Sequence, residues 1–150
     1  MIVLVHHRNA LGAEIDSMRP LSNPGRAATA RLATAAAARG VSPEVVWHSG
    51  KLRARQTAEL FWVACNPRAT FSAARGLQPT DPPAWMRDQL SGESRSILLA
   101  GHMPHLARLL SLLCDGSPDS PGMDFPLHGC VALEIDGERW KEIWRLEAET

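Results

Sequence analysis

Cysteine is scarce in this chain: Cys65, Cys114 and Cys130 are the only three in 150 residues. Their odd number, their wide separation and the lack of any C-x-x-C spacing exclude a disulfide framework and a cysteine zinc site. Reduced thiols filling the core are expected instead. Long apolar runs are also missing, and none approaches the ~20 residues needed to cross a bilayer. The first apolar stretch, Ile2 to Val5, is too short for a signal-peptide core and follows no basic leader, so a cytoplasmic protein is expected. Net charge is absent as well. With 16 Lys+Arg against 16 Asp+Glu, nothing suggests a nucleic-acid or anionic-membrane surface. No internal repeat is present, and the one biased tract is an alanine run near residue 35.

The balanced total conceals an asymmetry. From Met1 to Arg75 there are ten Lys+Arg against four Asp+Glu, and the remainder holds six against twelve. The halves are therefore net +6 and −6. A solvated basic helix face is the plain reading of the first excess, and a local anion site in that half is the sharper one.

Three continuous apolar runs, Ile2–Val5, Val45–Trp47 and Ile97–Ala100, read as strands of a parallel sheet covered on both faces. Helical patterns separate them. The first, about Pro24 to Arg39, has Ser22 or Asn23 to cap it, Pro24 in its first turn and Gly40 to stop it. The second, about Lys51 to Ala64, would turn Leu52, Ala58, Leu60 and Phe61 inward. A Pro-rich stretch from Pro79 to Pro83 leads into a short helix ending near Leu90. The last helix, about Pro104 to Leu113, carries Leu106, Leu109, Leu110 and Leu113 at helical spacing. Cys130–Ile135 and Trp140–Leu146 flank Asp136-Gly137, a hairpin signal. The pattern predicts one α/β domain over residues 1–150, with three α/β/α layers, a mostly parallel sheet and a C-terminal hairpin.

Ligands of open α/β sheets bind beyond the carboxyl ends of the strands. Here the strands are followed by His6, His7 and Arg8, by His48, Ser49, Lys51 and Arg53, and by Gly101-His102. Such a set, beside helix starts and poor in carboxylates, describes an anion pocket, with phosphate as the natural occupant. One histidine would attack phosphorus while arginines neutralise the equatorial oxygens. A metal is the competing reading of the histidines. It is disfavoured because adjacent arginines repel a dication, and because His6 and His7 should point to opposite faces of an extended strand.

These residues carry a resemblance. "LVHHRNA" (Leu4–Ala10) resembles the Leu-Val-Arg-His-Gly/Ala-x-Ala opening of the histidine phosphatase superfamily. "RPLSNPGR" (Arg19–Arg26) is similar to the R-P-L-T-x-x-G segment of its SixA-type branch. "SGKLRARQTAEL" (Ser49–Leu60) resembles the S-P-x-x-R-A-x-Q-T-A-E-x block, "GLQPTDPPAW" a short L-x-P-x-x-D connection, and "ILLAGHMPHLARLL" (Ile97–Leu110) the V-G-H-x-P-x-L segment. The blocks occur in order along essentially the whole chain.

The resemblance implies a phosphoglycerate mutase-like fold and a phosphatase whose histidine nucleophile is His7. Arg53 would grip the phosphoryl oxygens, His102 would contact phosphate or assist proton transfer, and Arg19 would support the pocket mouth. It implies no metal and no organic cofactor. The substrate would be phosphohistidine on a protein or a small phosphorylated metabolite. The branch lacks the insertion that carries a general acid in larger relatives, which suits a good leaving group.

The chain departs from the pattern at one place. Arginine is expected immediately before the nucleophile, and His6 stands there, with Arg8 two places on. Three readings are open: Arg8 reaches back to serve the phosphate; His6 works as imidazolium once phosphate is bound; or catalysis is lost and a phosphate-binding module remains. Leu11–Met18 and Ser117–His128 are the loops expected to set specificity. Elsewhere plainer readings are expected. His48 packs locally, His105 caps a helix or faces solvent, and His128 is either pocket rim or loop structure. Arg26, Arg31 and Arg39 line a solvated helix face, Arg55 is exposed or structural, and the five tryptophans pack in the core and hairpin.

Overall fold

The computed structural model describes residues 1–120 and 124–147. It is an α/β fold with ten elements: β1 (Ile2–His6), α1 (Asn23–Ala38), β2 (Val45–His48), α2 (Leu52–Cys65), β3 (Thr70–Ala73), α3 (Pro83–Ser91), β4 (Ile97–Gly101), α4 (His105–Asp115), β5 (Cys130–Asp136) and β6 (Arg139–Leu146). One six-stranded sheet runs β3-β2-β4-β1-β5-β6. The first four strands in that order are mutually parallel, and β5 and β6 are antiparallel additions on the β1 side.

Successive side chains of a strand point to opposite faces, and this sorts the core into two clusters. Ile2 and Leu4 of β1, with Ile97 and Leu99 of β4, pack on Met86, Leu90, Leu106 and Leu109 from α3 and α4. Val3 and Val5, with Leu98 and Ala100, pack on Leu32, Ala33 and Ala36 of α1 and on Ala58 and Phe61 of α2. Strands buried on both faces must be apolar throughout, so β1 and β4 read as unbroken runs. Cys130 lies in the second cluster, whereas Cys65 and Cys114 are only half-buried; all three are free thiols. Burial pushes Cys65, Cys114 and Cys130 up to about 11, 11 and 12 respectively, which leaves them unreactive.

Three sequence expectations need correction. The strand Thr70–Ala73 has no apolar signature, because it is a four-residue edge strand whose side chains are largely exposed. On α2 the buried positions are Ala54, Thr57, Ala58 and Phe61, while Leu52 and Leu60 are half-exposed. Tight packing of α2 on α1 favours small residues at the seam. His105 is 1% exposed and makes no capping bond, since the first turn of α4 faces inward with Leu106 and Leu109.

The hairpin forms as patterned, with Asp136 opposite Arg139 and Gly137 at φ 67° in the turn. Ser22 caps α1 by accepting from the Gly25 N–H at 3.0 Å. No described helix is long and apolar enough to cross a membrane.

Strand register aligns the functional edge. His6 lies opposite Gly101, and His48 lies opposite Ala100. The carboxyl ends of β1, β2 and β4 are therefore side by side, and the next residues, His7, Ser49 and His102, emerge along one edge.

Candidate active site

His102 is 2% exposed, with Nε2 2.6 Å from the Ser49 hydroxyl. Ser49 Oγ also accepts from the Lys51 N–H at 3.3 Å, and the Gln78 amide donates to the Ser49 carbonyl at 2.6 Å. This holds the His102 ring against the start of α2. Its Nδ1 is buried without a partner. The His7 and His102 rings meet edge to face, centroids 5.1 Å apart.

His7 is oriented by its own chain. Its Nδ1 lies 2.8 Å from the Arg8 carbonyl, which only accepts, so Nδ1 carries the proton and Nε2 keeps its lone pair. His6 is held differently, with Nδ1 accepting from the His128 N–H at 2.9 Å. His128 Nδ1 donates to the His7 carbonyl at 2.8 Å, and its ring stacks on His6, centroids 4.9 Å apart and 6° from parallel. The expectation that His6 and His7 diverge does not hold, since their centroids are 4.8 Å apart. The reason is local: β1 ends at His6, so strand alternation no longer governs His7.

Arg53 sits in the first turn of α2, where Lys51, Arg53 and Arg55 stand without any acidic residue. Cations are disfavoured at a helix N-terminus, whose dipole is itself positive. A local arrangement that opposes its own helix marks a place where something other than stability decides the sequence. Arg53 Nε is buried and has no acceptor. Arg19 arrives from the 10–21 segment, which is closed by an Ala10–Leu21 bridge and by the Leu11 N–H to Pro20 carbonyl bond at 2.8 Å. The Gln56 side chain of α2 accepts from the Leu21 N–H at 2.8 Å and moors that segment beside Arg53. Arg19 itself takes a left-handed φ of 49° and donates Nε–H to the Leu11 carbonyl. Neither Arg19 nor Arg53 has an ion-pair partner among the described residues.

Burial first, then Arg53, His128 and Arg19, pull the His7 imidazole down to about 4, against the upward pull of the Arg8 carbonyl. Burial and the neighbouring cations hold His102 down at about 3. For His6, burial followed by His7 and His128 gives about 3. Arg53 is lowered by burial and then by Arg19. Among the described residues, no carboxylate acts on any of the four. The site is a set of donors and cations without an anion of its own. Among the described residues, no group of three or more His, Cys, Asp or Glu side chains is disposed to hold a metal ion.

The fold thus gathers His6, His7, Arg19, Arg53 and His102. Arg8 stands apart: it contributes its carbonyl to His7, and its charge is not among those acting on that ring. What residue type leaves unread is the partner: Ser49, at the end of the second strand, meets His102, and His128, expected at the pocket rim or in loop structure, reaches His6 across 122 residues. His48 packs on Phe71, centroids 5.0 Å apart, and accepts from the Gly50 N–H. Arg26, Arg31, Arg39 and Arg55 are exposed, and Arg55 pairs with Glu59 at 3.0 Å.

No family model and no curated protein matches the sequence. Solved structures do. The protein histidine phosphatase SixA complexed with tungstate superposes with a TM-score of 0.81 at 25% identity, covering 97% of this chain and 96% of that one. The putative phosphohistidine phosphatase SixA from Agrobacterium tumefaciens gives 0.79 at 22% identity over the same shares. A mycobacterial glucosyl-3-phosphoglycerate phosphatase gives 0.72 at 14% identity, covering 99% of each chain. Along nearly its whole length this chain has the architecture of the histidine phosphatase superfamily and matches its SixA-type phosphatases.

Proposed function

We propose that the protein is a metal-independent phosphatase that works through a phosphohistidine at His7. The observation that carries this reading is the disposition of His7: Nδ1–H is committed to the Arg8 carbonyl, and Nε2 presents a lone pair beside Arg53, whose buried Nε–H lacks an acceptor. A tetrahedral oxyanion supplies the missing acceptor, and the tungstate held by a SixA protein belongs to that chemical class.

In the first step His7 Nε2 attacks phosphorus, a P–N bond forms, and the bond to the leaving group breaks. The electron pair departs with the leaving group, which takes a proton from solvent. In the second step water attacks phosphorus, the P–N bond breaks, and phosphate and neutral His7 are released. Arg53, Arg19 and His102 stabilise the charge on the equatorial oxygens, which is the main task in phosphoryl transfer. Phosphohistidine on a protein, or a small phosphomonoester with a good leaving group, fits a site without a carboxylic general acid. The protein would act in the cytoplasm as one domain.

Replacement of the motif arginine by His6 favours one second reading, a phosphate-binding module without turnover. Acid-quench trapping of labelled phosphohistidine separates the two. Wild type is expected to trap label and turn over phosphohistidine or a phosphomonoester, and His7→Ala to lose at least about 10³-fold in kcat. Binding without trapped label would establish the second reading.

A further inference from the structure

Residue 6 is where the resemblance places a guanidinium. We infer that His6 serves the phosphate instead as a neutral Nε2–H donor, fixed in that form by the turn at 128–129. The inference rests on the phosphatase reading of the site and assigns His128 as a positioning residue.

The bonds define the tautomer. An amide N–H only donates, so the 2.9 Å bond from His128 N–H requires a lone pair on His6 Nδ1. The single proton of the neutral ring then sits on Nε2. Protonating Nδ1 would break that bond and set two N–H groups against each other. The turn is clamped on both sides: His6 N–H donates to the Gly129 carbonyl at 3.0 Å, and His128 Nδ1–H holds the His7 carbonyl at 2.8 Å. His128 adopts a left-handed φ of 59°, a conformation glycine would take more readily. Glycine would supply neither the stacked ring nor the bond to His7.

The surroundings agree. The titratable groups acting on His6 are the imidazoles of His7 and His128, and no carboxylate among the described residues stands by to favour an imidazolium. His6 Nε2 makes no bond among the described residues and is not among the atoms sealed from solvent without a partner. It is an available donor in ring contact with the nucleophile. Adjacent histidines are thereby held in opposite tautomers: His7 offers a lone pair at Nε2, and His6 offers a hydrogen. Charge is left to Arg53 and Arg19, and the exchange of Arg for His makes the donor at residue 6 local and indifferent to pH.

The test uses the full chain with ¹⁵N-labelled histidine. In wild type, His6 is expected to show a bare Nδ1 and a protonated Nε2, unchanged from pH 5 to 8, with a through-hydrogen-bond scalar coupling between Nδ1 and the His128 amide nitrogen. Inorganic phosphate should shift the Nε2–H resonance without protonating Nδ1. A doubly protonated His6 ring in the phosphate complex at pH 7, or an Nε2–H that phosphate does not move, would overturn the inference. His6→Gln, which keeps a neutral N–H at similar reach, should bind phosphate within about threefold of wild type, and His6→Phe should lose about tenfold. Equal loss in both variants would also overturn it. Failure of every form to turn over substrate, with these signatures intact, would sink the phosphatase reading and leave the donor assignment standing.

Discussion

Two neighbouring imidazoles, identical in composition, are given opposite tasks by what their Nδ1 atoms meet. His7 Nδ1 meets a carbonyl, and His6 Nδ1 meets an amide N–H. This bears directly on pH dependence. A nucleophilic imidazole must be neutral, and His7 is drawn from 6.5 to about 4, first by burial and then, among charges, by Arg53. Once corrected for the substrate's own phosphate ionisation, kcat/KM is expected to stay level from pH 8 to about 5 and to fall as pH drops through about 4. The imidazolium reading of His6 predicts the reverse, a decline as pH rises through neutrality. A pH–rate profile distinguishes them: a decline with a midpoint near 6.5 as pH rises contradicts a neutral His6, and an acid-limb midpoint near 6.5 contradicts the depressed His7.

Among the elements, the start of α1 holds the loop after β1 directly. Ser22 N–H and Oγ–H both donate to the Asn9 carbonyl, at 2.9 and 3.1 Å, while Oγ caps the helix at Gly25. Gly25 is needed for the approach: a Cβ there would collide with the Asn9 carbonyl oxygen and press on Ser22 Oγ. Two effects oppose each other in Gly25→Ala. Helix propensity favours alanine by ~1 kcal/mol. Overpacking against backbone costs ~1–3 kcal/mol, and backbone has no rotamer to give way. The clash should win, lowering stability by up to ~2 kcal/mol and reducing activity as the segment carrying Arg8 and Asn9 shifts. Urea unfolding reads the sign, and a stabilised variant would show the contact to be loose. The same helix was legible in the sequence from its serine, proline and glycine punctuation. The edge strand β3 was not, because four largely exposed residues at a sheet margin need no apolar pattern.

For the whole molecule, holding the rings of His6, His7 and His102 neutral links folding to pH, and His48 and His105, also lowered by burial, act in the same direction. In the unfolded chain each has a pKa near 6.5, and in the folded protein His6, His7 and His102 lie at about 3, 4 and 3. Between those limits the unfolded state binds protons that the folded state refuses, so stability is present above pH 6.5 and lost as pH falls toward 3. One pKa unit is worth about 1.4 kcal/mol. Discounted for solvent screening, the cost by pH 4 is ~2–4 kcal/mol, or roughly 5–15 °C in Tm for a chain of this length. Melting curves from pH 7 to 4 check this, and a level Tm would contradict the buried neutral rings. Phosphate should raise Tm by mass action, since only the folded site gathers the cations.

Apart from the edge strand β3, the chain alone determined the order of strands and helices, because apolar runs, caps and turns are local in cause. It also marked His7, Arg53 and His102 as candidates, because strand ends in a parallel sheet share one edge. Tertiary structure decided what each of these groups can do. Whether a histidine nitrogen donates or accepts depends on a partner brought from elsewhere, 122 residues away for His6 and 53 for His102. The pull of cations on His7 depends on burial and on the mooring of Arg19 through Gln56, and the site role of His128 depends on which groups its turn meets at the end of β1. Periodicity encodes the apolar core; protonation at the site is set by burial and by distance to partners, and both belong to the fold.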